Sequence, residues 1–415
     1  MLDLRLIRRE PDAVRAALAR RGDASRLDEV LDLDEDWRAA TASAERLRAE
    51  QKAASDSIGA AKRAGEDPGP LLGRMRDMSA QVKALTERAR EAEERLQSVL
   101  ATLPNLPDPT ATDHDTVIRE VGEPRIREGR DHLELAGEMI DMERGARLSG
   151  SRFAYLRGDL VMLEFALVRW ALEKLRGHGF EPVVPPVLVR EPALYGTGFL
   201  PDTEQQIYRL PDDDLYLVGT SEVALASLHA GEILDAEALP RRYAGFSSCF
   251  RREAGAAGRD TRGIFRVHQF DKVEMFIFCA PEDSPAEHER LLAVEEEILQ
   301  DLGIPYRVVN IAVGDLGSSA AKKYDCEAWL PPQRRYRELT SCSNTTDFQA
   351  RRLEIRYRPE PGRRPETLHT LNGTAVAVGR TIIALLENGQ RDDGSVELPE
   401  ALGPYGAPGE IRAAA

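Results

Sequence analysis

The sequence predicts an α+β protein in which an antiparallel-sheet domain follows an N-terminal antiparallel α-helical coiled-coil arm. Three observations lead there. Two heptad seams flank a Gly/Pro break, a Pro-, Asp- and Thr-rich stretch follows them, and the remainder consists of short strand-like runs joined mostly by loops and hairpins. Strands connected in that way, with helices added between them, favour an antiparallel sheet over a doubly wound parallel one.

The arm is read from period. Steps of alternately three and four residues from Trp37 reach Ala40, Ala44, Leu47, Gln51, Ala54, Ile58 and Ala61, and no aromatic residue follows Trp37 before residue 100. After the break at 65–70 (GEDPGP) a second seam runs Leu71, Met75, Met78, Val82, Leu85, Ala89, Ala92, Leu96 and Val99. A helix pair with facing seams and a Gly/Pro turn is an antiparallel hairpin. At 1.5 Å per residue each half extends on the order of 45 Å, too long to pack wholly on a domain of this size, so the hairpin is expected to project into solvent. The expected division is an arm over 1–105 with its hairpin at about 30–100, a linker over 106–130, and a second domain over 131–415.

In that second domain Val161–Leu175 reads as a helix apolar all round, and Gly179–Leu188 as an extended segment broken by prolines. Strands are expected at Asp214–Val218, Arg242–Arg252, Gly263–Phe278, Tyr306–Ile311, Ala328–Leu330 and Tyr336–Thr340, and helices at Pro285–Leu302 and Val376–Asn388.

Composition narrows the function classes. With 415 residues, 42% apolar and 31% charged, the chain has enough mass for two or three folded domains and is not disordered throughout. Arg5, Arg8 and Arg9 stand where a signal peptide needs an apolar core, and no uncharged run approaches the roughly 18 apolar residues of a membrane span, so a cytoplasmic protein with no membrane partner is expected. Cys249, Cys279, Cys326 and Cys342 show no C-x-x-C spacing, which predicts reduced buried thiols rather than disulfides or a zinc site.

The net charge of −15 argues against coating nucleic acid through bulk charge. Resolved by region the argument changes. Between Arg38 and Arg90 there are 11 Lys plus Arg against 7 Asp plus Glu, a local balance of +4, while Asp32, Asp34, Glu35, Asp36, Glu91, Glu93 and Glu94 gather at the hairpin's base. A basic tip carrying Lys52, Lys62, Arg63, Arg74 and Arg76 can meet phosphates, and the acidic remainder discourages indiscriminate binding.

The dipeptide Gly-Lys never occurs, so a P-loop is excluded, and neither G-x-S-x-G nor H-E-x-x-H is present. The densest polar cluster is 249–263, CFRREAGAAGRDTRG, a hairpin loop between two strand-like segments with four arginines and three glycines. Arginine's planar fork binds phosphate oxygens bidentately, and glycine lets a backbone approach a ligand closely. The following run, Val267–Glu274, interleaves apolar and charged residues where a core strand would keep one face clean.

These stretches resemble motif 2 of the class II aminoacyl-tRNA synthetases, in the form used by seryl-tRNA synthetases. Residues 179–186 (GFEPVVPP) are similar to motif 1, a dimer-interface helix and strand ending in proline. Residues 219–223 (GTSEV) look like the family's serine-contacting loop, and 371–380 (LNGTAVAVGR) resembles motif 3. The hairpin is similar to the arm by which the family grips its tRNA.

The resemblance implies roles that the local chemistry supports. Arg251 is expected on the ATP α-phosphate and the amino-acid carboxylate, Glu253 on the adenine amino group, Phe270 stacked on the ring and Arg380 on the γ-phosphate, with Arg251 and Arg380 as the catalytic pair. Arg252, Val267, Leu339 and Thr340 complete the expected ATP set, and Glu338 and Ser341 match the family's metal and ATP contacts, implying Mg2+ with ATP and no zinc. Thr220, Ser221, Glu222, Glu274 and Thr374, with Arg251, fall where the family holds serine; two carboxylates facing one small zwitterion need a cation between them. His268 is expected to be a structural hydrogen-bonder. The resemblance thus implies activation of L-serine by ATP and transfer to tRNA(Ser) by a homodimer, and leaves open whether tRNA(Sec) is also charged. Competing readings are an amino acid:carrier-protein ligase, whose relatives lack the long arm, a duplicated synthetase serving resistance or biosynthesis, and an inactive interaction protein, which would have lost Arg251, Glu253 or Arg380.

Overall fold

The structure, a computed structural model, describes residues 1–22, 24–65, 67–126, 129–201, 206–254, 258 and 260–412. Gly255, Ala256, Ala257 and Arg259 of the arginine-rich loop lie outside the described residues. The chain divides into two units, Leu2–Pro104 and Asn105–Ala415.

The first unit is helical: α1 (Leu4–Arg9), α2 (Pro11–Arg20), α3 (Arg26–Ala64) and α4 (Gly69–Leu100). Every seam position is buried or half-buried, while the lysines and arginines between seam positions stay exposed. Gly65 ends α3 at φ +73°, the left-handed cap that a side chain would strain. Pro70 sits in the first turn of α4, where its missing N–H costs nothing. The two helices are pinned across the seam by Arg48 donating to Thr86 Oγ1 at 2.9 Å, by Gln51 donating to Ser79 Oγ at 2.7 Å, and by the Arg88–Asp36 ion pair. At the base, Leu27, Val30, Leu96 and Leu100 are fully buried. Burial would raise the carboxyl of Asp34, yet hydrogen bonds from Arg8 and Arg38 win and hold it below the usual carboxylate range.

The second unit is built on an eight-stranded sheet: β1 (Thr116–Val121), β2 (Glu181–Val183), β3 (Arg241–Phe250), β4 (Gln269–Cys279), β5 (Tyr306–Asn310), β6 (Lys322–Leu330), β7 (Arg335–Thr346) and β8 (His369–Ala377), in the order β1-β5-β6-β7-β8-β4-β3-β2. Neighbours are antiparallel except β2, which runs parallel to β3 at one edge. Residues 106–130 do more than link, because β1 forms the opposite edge. Alternation along β4 separates two environments. Val273, Met275, Ile277 and Cys279 enter the main core with helices α5 (Asp159–Gly177), α7 (Ser284–Asp301) and α8 (Val378–Gly389). Phe276 and Phe278 pack on the other face with Leu353, Ile355 and Tyr357.

Three expectations change. The strand expected from Gly263 begins only at Gln269, because the backbone N–H of Ile264 is engaged by a side chain rather than by a neighbouring strand. Strands β6 and β7 are longer than read, since Lys323, Asp325, Ser341, Ser343 and Asn344 disguise the strand pattern with polar residues. Helix α5 is not buried all round, and Met162 and Phe165 are 51% and 62% exposed. The four cysteines are buried and unpaired, as expected. Among the described residues no helix is long and apolar enough to cross a membrane.

A seam substitution tests the hairpin. Ala44→Glu, at a position 4% or less exposed in the seam, should destabilise the arm by about 1–3 kcal/mol, whereas Ala49→Glu on the exposed face should stay within about 0.5 kcal/mol, both followed by thermal circular dichroism.

Candidate active site

A cavity of about 380 Å³ opens in the second unit over β4, β7 and β8. Thr220, Glu222, Arg251, Glu253, Val267, Phe270, Glu274, Glu338, Leu339, Thr340, Ser341, Thr374 and Arg380 all line it. Two predicted residues do not. Ser221 is fully buried and donates to Gly245 O at 3.4 Å, and Arg252 is tied by its backbone N–H to Gln206 O at 2.9 Å. Ser221 precedes the short helix α6 (Glu222–Ala226), which lies so close to β3 that a Cβ on Gly245 would come within 2.7 Å of Leu225 Cδ1.

Two β-bulges decide which side chains reach the cavity. On β7, Glu327 faces Glu338 while Cys326 faces Thr340, so Leu339 is an extra residue and alternation reverses there. Glu338, Ser341 and Ser343 consequently line one cavity although Glu338 and Ser341 are an odd number apart. On β8, Val273 faces Val376 and Glu274 faces Thr374, so Ala375 is extra, and Asn372, Thr374 and Ala377 share the cavity side by the same device.

The cationic wall begins where β3 ends. Arg251 donates from Nε to Gly219 O at 3.2 Å, and its guanidinium lies 5.3 Å from the centre of the Phe270 ring. Glu253, at φ +50°, accepts from Arg266 at 2.7 Å. Asp260 accepts from Arg337 at 2.8 Å; burial opposes its ionisation, but Arg337 and Arg266 hold its carboxyl below the usual range. The Phe265 ring carries Arg337 at 3.9 Å and Arg380 at 4.7 Å. Arg380, in the first turn of α8, also donates to Glu338 O at 2.9 Å. Burial would raise Glu338, yet Arg380, Lys323 and Arg251 keep it below the ordinary glutamate value. His268 accepts no role in the cavity wall: its Nδ1 meets Arg251 O at 2.9 Å, the structural bond expected of it.

The floor is acidic and buried. Glu222 and Glu274 are 9% and 2% exposed. Gln349 and Asn372 donate to Glu222 Oε1 at 2.8 and 3.0 Å, and Lys272 is ion-paired with Glu274. Burial, then the neighbouring Glu274, push Glu222 up to about 7. Burial also raises Glu274, against the pull of Lys272 and Arg251. Behind the floor Glu295 is fully buried and accepts from Thr340 at 2.8 Å; burial holds it well above the carboxylate range.

Sequence reasoning missed Lys272, Lys323, Phe265, Arg266 and Asn372 as cavity residues. Lys272 was signalled by the charged positions of 267–274, and Asn372 lies two residues before Thr374 on the same strand side. Lys323, whose Nζ lies 2.8 Å from Asp325 Oδ1, gave no local signal.

Family comparison agrees with this arrangement. Residues 206–389 match the tRNA synthetase class II core domain (G, H, P, S and T), and residues 1–107 match the seryl-tRNA synthetase N-terminal domain. The chain is similar to the serine–tRNA ligase of Thermobifida fusca, at 52% identity over 98% of this chain and 97% of that one. The chain belongs to the seryl-tRNA synthetase family. Another family member, from Mycolicibacterium smegmatis, is 53% identical over 98% of both chains. The fold of this chain is similar to that of the seryl-tRNA synthetase from Pyrococcus horikoshii complexed with ATP, with a TM-score of 0.95 and 42% identity over both full chains. The Naegleria fowleri cytoplasmic enzyme in complex with AMP gives 0.88 at 34% identity, covering this whole chain and 99% of that one.

The raised Glu222 has a measurable consequence. A carboxyl whose folded pKa lies above its unfolded one adds stability that is complete below the unfolded value, 4.5, and is lost as pH rises through about 7. Denaturant unfolding of the ligand-free chain at about pH 5 and about pH 8 should therefore show a larger loss for the wild type than for Glu222→Gln. Equal losses would show that Glu222 does not titrate in this window.

Proposed function

We propose that the chain activates L-serine with ATP to seryl-adenylate and transfers the seryl group to tRNA(Ser). The observation that carries this is one cavity in which Arg251, Arg380 and Glu338 stand above the buried carboxylates Glu222 and Glu274. The upper part suits a triphosphate and the floor suits an ammonium. The serine carboxylate is ionised at neutral pH and attacks the α-phosphorus directly; pyrophosphate leaves, so no protein base is required. Charge grows on phosphate oxygens in that step. Arg251, held by Gly219 O and the Phe270 ring, and Arg380, held by Glu338 O and the Phe265 ring, are preorganised to meet it. In the second step the terminal ribose hydroxyl of tRNA attacks the acyl carbon and AMP leaves.

Glu253 and Phe270 fit the adenine, and Thr220, Glu222, Glu274 and Thr374 fit serine's ammonium and hydroxyl. An analogue lacking that hydroxyl leaves buried polar groups unpaired, which can cost roughly 10⁴-fold. The donor set near the phosphates is one carboxylate, Glu338, and one hydroxyl, Ser341. Among the described residues no cluster of three or more His, Cys, Asp or Glu could hold a metal alone, which suits Mg2+ shared with substrate phosphates. Mg2+ bound with ATP would be held by Glu338 and Ser341 and would neutralise phosphate charge.

The same reading takes residues 1–105 as the tRNA arm, 106–130 as its connection and 131–415 as the catalytic domain, in a cytoplasmic protein. Lys52, Lys62, Arg63, Arg74 and Arg76 are exposed and available to RNA phosphates. Met162, Phe165 and Val184, the last 79% exposed, support burial of the motif 1 helix and strand in a two-fold homodimer. The arm, present here with its own family match, disfavours a carrier-protein ligase.

Amino-acid-dependent ATP/pyrophosphate exchange tests the reading: serine should support exchange, and exchange with alanine or glycine in its place would sink it. Arg251→Ala should lower the exchange rate by about 10²-fold or more. Deleting residues 44–94 should leave exchange largely intact and abolish charging of tRNA(Ser); charging that survived would remove the arm from tRNA binding. The same charging assay with tRNA(Sec) decides the second acceptor.

A further inference from the structure

We infer that His132 is a positioning residue for the ATP half of the cavity, acting through the backbone N–H of Ile264. This assignment rests on the reading of that cavity as an ATP site. His132 is 6% exposed, lies outside the cavity and opens a short helix, His132–Ala136. Its ring bridges two segments far apart in sequence. On one side Nδ1 is 2.9 Å from Glu387 Oε1 on α8, and the backbone N–H of His132 donates to the same oxygen at 3.2 Å. On the other side the Ile264 N–H donates to Nε2 at 3.3 Å.

These bonds assign one tautomer. A carboxylate oxygen only accepts, so Nδ1 carries the proton, and Nε2 is left with the lone pair that the Ile264 N–H requires. Glu387 thus fixes the ring as a second residue fixes a metal-binding histidine: it sets both tautomer and orientation. The approach is close. Gly263 stands at φ +77°, and a Cβ there would come 2.0 Å from His132 Nε2, so this glycine lets the chain pass against the ring.

What the bond holds is the return side of the motif 2 segment, immediately before the cavity lining. Ile264, Phe265, Arg266 and Val267 are consecutive lining residues. Phe265 supports Arg380 from its ring, and Arg266 pairs with Glu253. A shift at Ile264 therefore moves the groups proposed to meet the γ-phosphate and the adenine, while Thr220, Glu222 and Thr374 hang from other elements. His132 replaces the ladder bond that the strand, starting only at Gln269, does not supply.

The test separates the two ring nitrogens. In His132→Gln the side-chain oxygen reaches the Nε2 position and can still accept from Ile264; in His132→Asn the shorter amide can still donate to Glu387 but no acceptor reaches Ile264. Serine-dependent ATP/pyrophosphate exchange is measured against ATP and against serine for the wild type, both variants and His132→Ala. The asparagine and alanine variants should raise KM for ATP about 5- to 10-fold, as loss of a buried acceptor predicts, with KM for serine changed less than about 2-fold. The glutamine variant should stay within about 2-fold on both. Glu387→Ala, which keeps His132 but frees its ring, should change KM for ATP in the same direction, and thermal melts confirm that each variant is folded. Equal changes in both KM values, a glutamine variant no better than asparagine, or an unchanged KM for ATP in the asparagine variant would overturn the assignment. A wild type without serine-dependent exchange would overturn the underlying reading, and this one with it.

Discussion

Side chains on a strand alternate, and the chemistry of the cavity depends on where the sheet breaks that rule. Were β7 to run through Leu339 with regular alternation, Glu338 and Ser341 would point to opposite faces, one of them into the core with Cys342. Regular alternation through Ala375 in β8 would part Thr374 and Ala377 in the same way. Each bulge spends one unpaired residue to place three polar or small side chains on a common side. The two lie on neighbouring strands, so the concavity that gathers arginines above buried carboxylates is a property of the sheet before it is a property of any loop.

Charge follows from this geometry. Glu222, Glu274 and Glu295 descend from the cavity floor into the core, and burial raises each of them. Lys272 and Arg251 compensate only part of that acidity. The upper wall is the reverse: Arg251, Arg266, Arg337 and Arg380 are spread over Phe265, Phe270, Asp260 and Glu253, a network of rings and carboxylates that fixes guanidinium planes without neutralising all of them. On the proposed reading, such a gradient would orient an amino-acid zwitterion with its ammonium downward and its carboxylate toward the arginines.

Much of this was legible in the sequence. Every position of the two heptad seams is buried or half-buried, because a long two-helix contact has one repeating rule, whereas the buried residues at the base, Val30, Leu33, Asp34 and Leu100, lie outside the seams as read. Motif spacing placed thirteen predicted residues around a single cavity. What sequence did not reveal has physical reasons. Bulges add no distinctive residue to the sequence, and the polar residues of β7 made that strand look too short. Residues 263–268 carried the composition of a strand, yet the backbone N–H of Ile264 goes to a histidine more than a hundred residues away and that of His268 to Arg152 O. Ser221 and Arg252 belong to the right motifs, and only packing shows that neither lines the cavity: the Ser221 hydroxyl is spent on Gly245 O, and the Arg252 backbone is tied to Gln206. Lys323 was invisible because nothing local distinguishes a lysine that faces a cavity from one that faces solvent.

The composition of the arm's seam carries a mechanical meaning. Near its base the helix pair buries Leu27, Val30, Leu96 and Leu100, all at 0% exposure, whereas toward the turn alanine, glutamine and half-exposed methionine fill the seam, with Ile58 and Ala61 the buried positions closest to Gly65. Apolar area per turn therefore falls along the hairpin, and with it the free energy that resists local opening. The arm is stiff where it is rooted and compliant at its basic end, so amide exchange should quicken from base to tip, and a bound polyanion can bend that end to its own contour without loosening the root.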